Sequence, residues 1–130
     1  MIKSLLLNQT AIFTIDANEL YSGEMLNVKY GEEYEFFCDP DQYWKDWLIL
    51  TGPDGYFNPL ARLAGLRTKH TPCFCLCGVY DYDDSTAFAI GSIKLVEIKS
   101  TGVVSFFAND AKGHYKNNSG SIKLNITRLQ

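Results

Sequence analysis

The sequence predicts an all-β protein, a small jelly-roll-like β-sandwich, and three observations carry that expectation. Its apolar runs are short and return about every 8 to 12 residues, the rhythm of a sandwich or barrel. The last run, 121–129, alternates cleanly: Ile122, Leu124 and Ile126 point one way, Lys123, Asn125 and Thr127 the other. Turn-forming clusters separate the runs, among them Ser22-Gly23, Asp39-Pro40-Asp41, Gly52-Pro53-Asp54-Gly55 and Thr101-Gly102.

Taken in order, strands are expected at 11–15, 25–30, 33–38 and 47–51 in the first half. The second half supplies 73–80, 87–90, 93–98, 103–108 and 121–129. One segment departs from this rhythm. At 59–64 a short helix is expected, because Asn58 can cap it, Pro59 suits its first position and Gly65 suits its stop. It sits inside 52–72, the longest connection without a strand, and long connections in compact domains tend to be functional.

A chain of 130 residues with 46% hydrophobic content is expected to form one domain, 1–130, with a core of its own. A net charge of −3 argues against nucleic acid or an anionic membrane as partner. The opening Met1-Ile2-Lys3-Ser4-Leu5-Leu6-Leu7 is too short for the apolar part of a signal peptide. No run approaches the roughly 20 apolar residues of a membrane-spanning helix, so membrane insertion is not expected. The expectation is a soluble protein made in the cytoplasm, with release to the extracellular space left open. Of the four cysteines, Cys73, Cys75 and Cys77 alternate and would share one strand face. Buried thiols suit that pattern better than a zinc site, which wants paired Cys-x-x-Cys turns; one disulfide to Cys38 is the other alternative.

The chemistry concentrates in 106–126, where an apolar run leads through Asn109-Asp110 and a loop with Gly113 to Asn117-Asn118-Ser119-Gly120 and the final strand. On residues alone this is either an Asn/Gly-rich turn or a hard-cation site. In the second case Asp110 brings a charged oxygen and Asn117 and Asn118 bring amide oxygens. Calcium takes roughly 6–8 oxygen ligands at about 2.3–2.6 Å. The pattern Asn109-Asp110-x-x-Gly113-x-Tyr115-x-Asn117-Asn118-Ser119-Gly120 resembles the calcium loop of the galactophilic bacterial lectins of the Pseudomonas type. Weaker landmarks upstream are Trp44-Lys45-Asp46-Trp47, Cys77-Gly78-Val79-Tyr80 and Phe88-Ala89-Ile90-Gly91.

The resemblance implies a galactose-binding-domain-like sandwich that holds Ca2+ and binds a galactoside or other glycan through it, without catalysis. It implies metal ligands from Asp110, Asn117 and Asn118 and from the carbonyls of His114 and Trp47. Sugar contacts would come from Asp110, Asn117, Trp47 and His70, and a homo-oligomer is expected, with 121–129 as an edge strand available for the interface. The chain departs from the family at 65–72, where the galactose-reading His-Pro-Asp-Gln segment is missing and only His70 remains. The rival expectation keeps the calcium and drops the sugar, leaving a metal-braced interaction module. An acidic turn at Asp81-Tyr82-Asp83-Asp84 lacks the glycine and closing glutamate of an EF-hand. No carboxylate pair or activated nucleophile stands out, so no enzyme is expected.

Overall fold

The computed structural model describes residues 1–130. Its strands are β1 (Ile2–Lys3), β2 (Thr10–Asp16), β3 (Met25–Val28), β4 (Glu33–Phe37), β5 (Trp44–Asp46), β6 (Ile49–Thr51), β7 (Leu76–Tyr80), β8 (Phe88–Ala89), β9 (Ile93–Glu97), β10 (Gly102–Ala108), β11 (Asn118–Ser119) and β12 (Ser121–Arg128). One helix, α1 (Pro59–Leu63), precedes β7, and 3-10 turns occupy Asp84–Thr86 and Lys112–Asn117. Two main sheets run β1-β3-β10-β7-β8 and β2-β12-β4-β9, and a small third sheet runs β11-β5-β6. This is a β-sandwich.

The core forms where the inward rows of the two main sheets meet. Phe13 and Phe36 approach Phe106 edge-on, with ring centroids 6.0 and 5.9 Å apart. Ile122, Leu124 and Ile126 are fully buried between them, as the alternation of β12 requires. β10 and β7 are buried on both faces. Phe106 points into the main core, while Phe107 joins Cys77 and Val79 in a second cluster on the outer face. That double burial is why 103–108 reads as an almost continuous apolar run.

The short helix lies where its caps place it. The Asn58 side chain accepts from the Ala61 N–H at 3.1 Å, and Gly65 takes a φ of +94° just past the end.

Three expectations need correction. The 47–51 run is not one strand: the chain reverses at Trp47, whose φ is +56°, and β5 and β6 form a hairpin around it. A short apolar run carries no period that separates strand from turn. β12 is not an edge strand, because it pairs with β2 on one side and β4 on the other. The 73–80 run starts late, because Phe74 takes a left-handed φ of +64°. Cys73 therefore sits in an isolated bridge to Tyr56, outside the strand that carries Cys77.

All four cysteines are nonetheless buried and free. Burial pushes the Cys38 and Cys73 thiols up to about 12, which removes the thiolate that would react. We expect the native protein to resist a thiol reagent at Cys38, Cys73 and Cys77, whose thiols are all pushed up, and the denatured protein to react fully. Rapid native labelling of Cys73 or Cys77 in a stopped-flow assay would contradict this packing.

Candidate functional site

At the end of β10 the chain leaves the sheet through Asn109 and Asp110, which are 0% and 3% exposed. A buried carboxylate needs partners, and Asp110 has two. Its Oδ1 accepts from the Ala111 N–H at 2.8 Å and its Oδ2 from the Asn118 amide at 3.0 Å. The same Asn118 amide donates to the Ala17 carbonyl at 3.1 Å. The Asn118 Oδ1, however, is buried without any partner. An unsatisfied buried acceptor costs about 1–3 kcal/mol, and folded proteins hold few of them.

Desolvation pushes the Asp110 carboxyl above its ordinary pKa, and the Asn118 and Ala111 hydrogen bonds only partly oppose it. Repulsion from Asp46 adds to the rise, and the nearby His114 eases it. Asp46 arrives through the small sheet. It stands directly opposite Asn118 in the antiparallel β5–β11 pair, so the two side chains leave the same face. Tyr56 donates its hydroxyl to Asp46 Oδ2, and the Cys73 thiol lies 3.6 Å from the same oxygen. The arrangement places two carboxylates and an orphaned amide oxygen together. No group of three or more His, Cys, Asp or Glu side chains is placed to hold a metal ion, so a cation here would rest on amide and carbonyl oxygens beside the two carboxylates.

The 52–72 connection forms the wall beside this cluster. Asn109 holds it, with Oδ1 accepting from the Thr68 N–H and hydroxyl and Nδ2 facing the carbonyls of Thr68, Thr71 and Pro72 at 3.0–3.1 Å. Between wall and helix opens a cleft of about 250 Å³, lined among others by Tyr56, Phe57, Arg62, His70 and Cys73. Behind it lies Arg67, whose side chain is 1% exposed. Its fork grips Asp84 at 3.0 and 3.1 Å and also reaches the Leu20 carbonyl and Tyr115 hydroxyl. The guanidinium lies 3.6 Å from the Phe107 ring centroid. Through its backbone N–H, Arg67 also reaches the Asp110 carbonyl at 3.2 Å.

Among the residues expected at the site, Asp110 and Asn118 are in direct contact. Asn117 follows with an exposed side chain, and its carbonyl accepts from the Trp47 N–H at 3.2 Å. His114 is exposed in the 3-10 turn, and His70 is exposed on the cleft rim. Of the aromatics near the long connection, Trp44 is a core residue, whereas Trp47 and Phe57 face solvent. Sequence reasoning missed Asp46 and Arg67 as members or supports of the site, and it placed Asn109 in the loop motif without giving it a role. Asp46 carried a signal in its place between two tryptophans; Arg67 carried none.

Fold and site together define a small β-sandwich with an oxygen-lined loop cluster and an adjoining cleft. No protein-family model matches the chain, and no curated protein matches it. Among solved structures it is similar to one described as "EclA N-terminal domain; PllA-like lectin". The TM-score is 0.65 at 20% identity, over 90% of this chain and 94% of that one. At that identity the likeness is one of fold.

The Arg67 network yields a direct test. Desolvation raises the Asp84 pKa, but the hydrogen bonds from Arg67 and Tyr21 outweigh it and leave the carboxyl below its ordinary value. This contribution to stability is present above the unfolded-state pKa and is lost as pH falls through the folded one. Arg67→Ala should destabilise the fold by about 3–5 kcal/mol, as breaking a buried pair does. Arg67→Lys should recover only part, since an ammonium cannot fork. Denaturant titrations at neutral and acidic pH check both statements.

Proposed function

We propose that the protein is a calcium-dependent carbohydrate-binding protein, a lectin without enzymatic activity. The observation that carries the reading is the buried Asp110–Asn118 pair with its orphaned amide oxygen. A hard divalent cation would satisfy that oxygen, offset the desolvation of Asp110 and screen its repulsion from Asp46. Asp110, Asn117 and Asn118 would hold the ion with the carbonyls of His114 and Trp47, and Asp46 on β5 is a further candidate. Calcium, when bound, supplies positive charge to which sugar hydroxyls can bind in place of water. Two carboxylates at most imply weak metal affinity, in the range of extracellular modules.

The cleft beside the cluster would receive the sugar. Its volume lies below the roughly 300–1,000 Å³ of drug-sized sites, which suits one ring better than an extended chain. Tyr56 and Phe57 offer apolar faces and His70 offers a polar rim contact. The lectin-fold neighbour and the resemblance of 109–120 to the galactophilic loop support a galactoside or related glycan. The rival reading, a calcium-braced module without sugar, is favoured by the missing His-Pro-Asp-Gln segment.

Calorimetry separates these readings. Asp110→Asn should weaken calcium at least tenfold, about 1.4 kcal/mol, and more than Asn117→Ser does. Sugar should tighten calcium by the factor by which calcium tightens sugar. Equal calcium affinity in wild type and Asp110→Asn would sink the metal assignment. Calcium binding with no response on a glycan array, with and without chelator, would favour the module.

The raised Asp110 pKa adds a pH test. Because burial makes the folded carboxyl the weaker acid, its destabilisation is absent at low pH and fully present above the folded pKa. Calcium needs the ionised form. Its affinity, and the rise in melting temperature that it causes, should therefore be largest near neutrality. Both should fade on acidification while the pH is still above the ordinary aspartate value. A calcium effect constant down to that value would contradict the role of Asp110.

A further inference from the structure

Around the cleft the protein exposes apolar side chains that neither the core nor the cation cluster uses, of which Phe57 also lines the cleft itself. Trp47, Leu48 and Leu50 ride on the β5–β6 hairpin; Phe57, Leu60 and Leu63 lie on α1 and its approach. All six are between 62% and 85% exposed. The two groups meet at the Asp46–Tyr56 hydrogen bond, which joins the hairpin to the residue preceding Phe57. Soluble monomers rarely expose a contiguous apolar patch of more than a few hundred Å².

Shape and charge say what this patch fits. Trp47 and Leu48 form a hairpin tip, and α1 buries none of its residues, so both groups stand out from the body. Protruding side chains of this kind can sink into a soft surface, and the adjoining recess, which Phe57 and Arg62 line, is small. Charge around them leans basic. There is no Asp or Glu at 55–80 or at 111–130, although the chain as a whole is acidic. Lys45 stands opposite Leu50, Arg62 lies between Leu60 and Leu63, and Lys116 precedes the residue that bonds Trp47; all three are exposed. Of the neighbouring carboxylates, Asp46 is engaged by Tyr56, Asp54 accepts from the Ser92 N–H at 2.7 Å, and Asp39 accepts from the Asp41 N–H at 2.9 Å; Asp41 is exposed beside Pro40, whose carbonyl lies against Gly52 at the end of β6. Whole-chain charge therefore gives the wrong sign for this face.

We propose that the hairpin tip and α1 form a docking surface for an anionic lipid bilayer. The aliphatic side chains and Trp47 enter the headgroup layer, and Lys45, Arg62 and Lys116 face the lipid phosphates and carboxylates. The contact is peripheral, since no helix is long and apolar enough to cross a membrane. It does not rest on the calcium-and-sugar reading.

The test is sedimentation of the full chain with sucrose-loaded phosphatidylcholine vesicles, with and without phosphatidylserine, free of glycolipid and with chelator present. These conditions silence the proposed lectin site, so failure of one reading leaves the other standing. We expect sedimentation with the phosphatidylserine vesicles, weakening with salt and accompanied by a blue shift of tryptophan fluorescence. Leu48→Asp and Leu63→Asp should each lower partitioning about tenfold with an unchanged melting temperature. Arg62→Gln should lower it about fivefold. Absence of sedimentation, equal sedimentation with both vesicle types, or sedimentation only after glycolipid and calcium are added would overturn the proposal. So would a dimer in light scattering that Leu63→Asp dissolves, since the patch would then be covered by a second copy.

Discussion

The amide of Asn109 is the constraint on which the functional end of the molecule depends. It is completely buried, and its oxygen and nitrogen are both engaged by residues 68–72. Its backbone continues the pairing of β10 beyond the sheet, donating to the Cys75 carbonyl and accepting from the Phe74 N–H. One residue thus joins the last regular strand of the core to the long connection that walls the cleft. Removing either bonding partner would leave buried polar groups unpaired, the costly side of the hydrogen-bond balance. The wall is therefore held by saturation of that side chain together with the buried Leu66 and Arg67, and Ala61 of α1 packs against the core.

Next to that anchor, two opposite electrostatic solutions lie side by side. Arg67 is buried and matched: Asp84 takes both arms of its fork, with aromatic rings around it. Asp110 is buried without a basic partner and has only amide donors. Arg67 touches Asp110 through the backbone alone and brings it no charge directly. The fold thus uses its buried cation to pin loops and leaves a buried anion beside an unsatisfied amide oxygen. That asymmetry is what supports the proposal of an external cation at the Asp110 cluster, whereas the Arg67 cluster is complete in itself.

Much of the fold was legible because its determinants are local. The alternation in β12, the Asn58 cap with Pro59, and the turn chemistry between runs each act over a few residues, and the structure keeps them. The Asn109–Gly120 pattern was legible as a loop with oxygen donors for the same reason, and Asp110 and Asn118 do meet. The misreadings share a cause. At Trp47 and Phe74 a tertiary frame holds a bulky residue at positive φ, a conformation that costs about 1–2 kcal/mol and that no propensity would assign. The central place of β12 depends on strands far away in the chain, and a strand's own residues do not name its neighbours.

By itself the sequence determined the β class, the short helix and the oxygen-bearing loop. Each of these follows from period, capping or composition within a window of a few residues. Only the tertiary structure decided that Asp46 faces Asn118, that Asn109 holds the cleft wall, that Arg67 is saturated by Asp84 and that apolar side chains of the β5–β6 hairpin and α1 stay exposed. These are long-range pairings. Their energies depend on which groups lose water together, and that is set by the packing of the sheets rather than by any neighbouring residue.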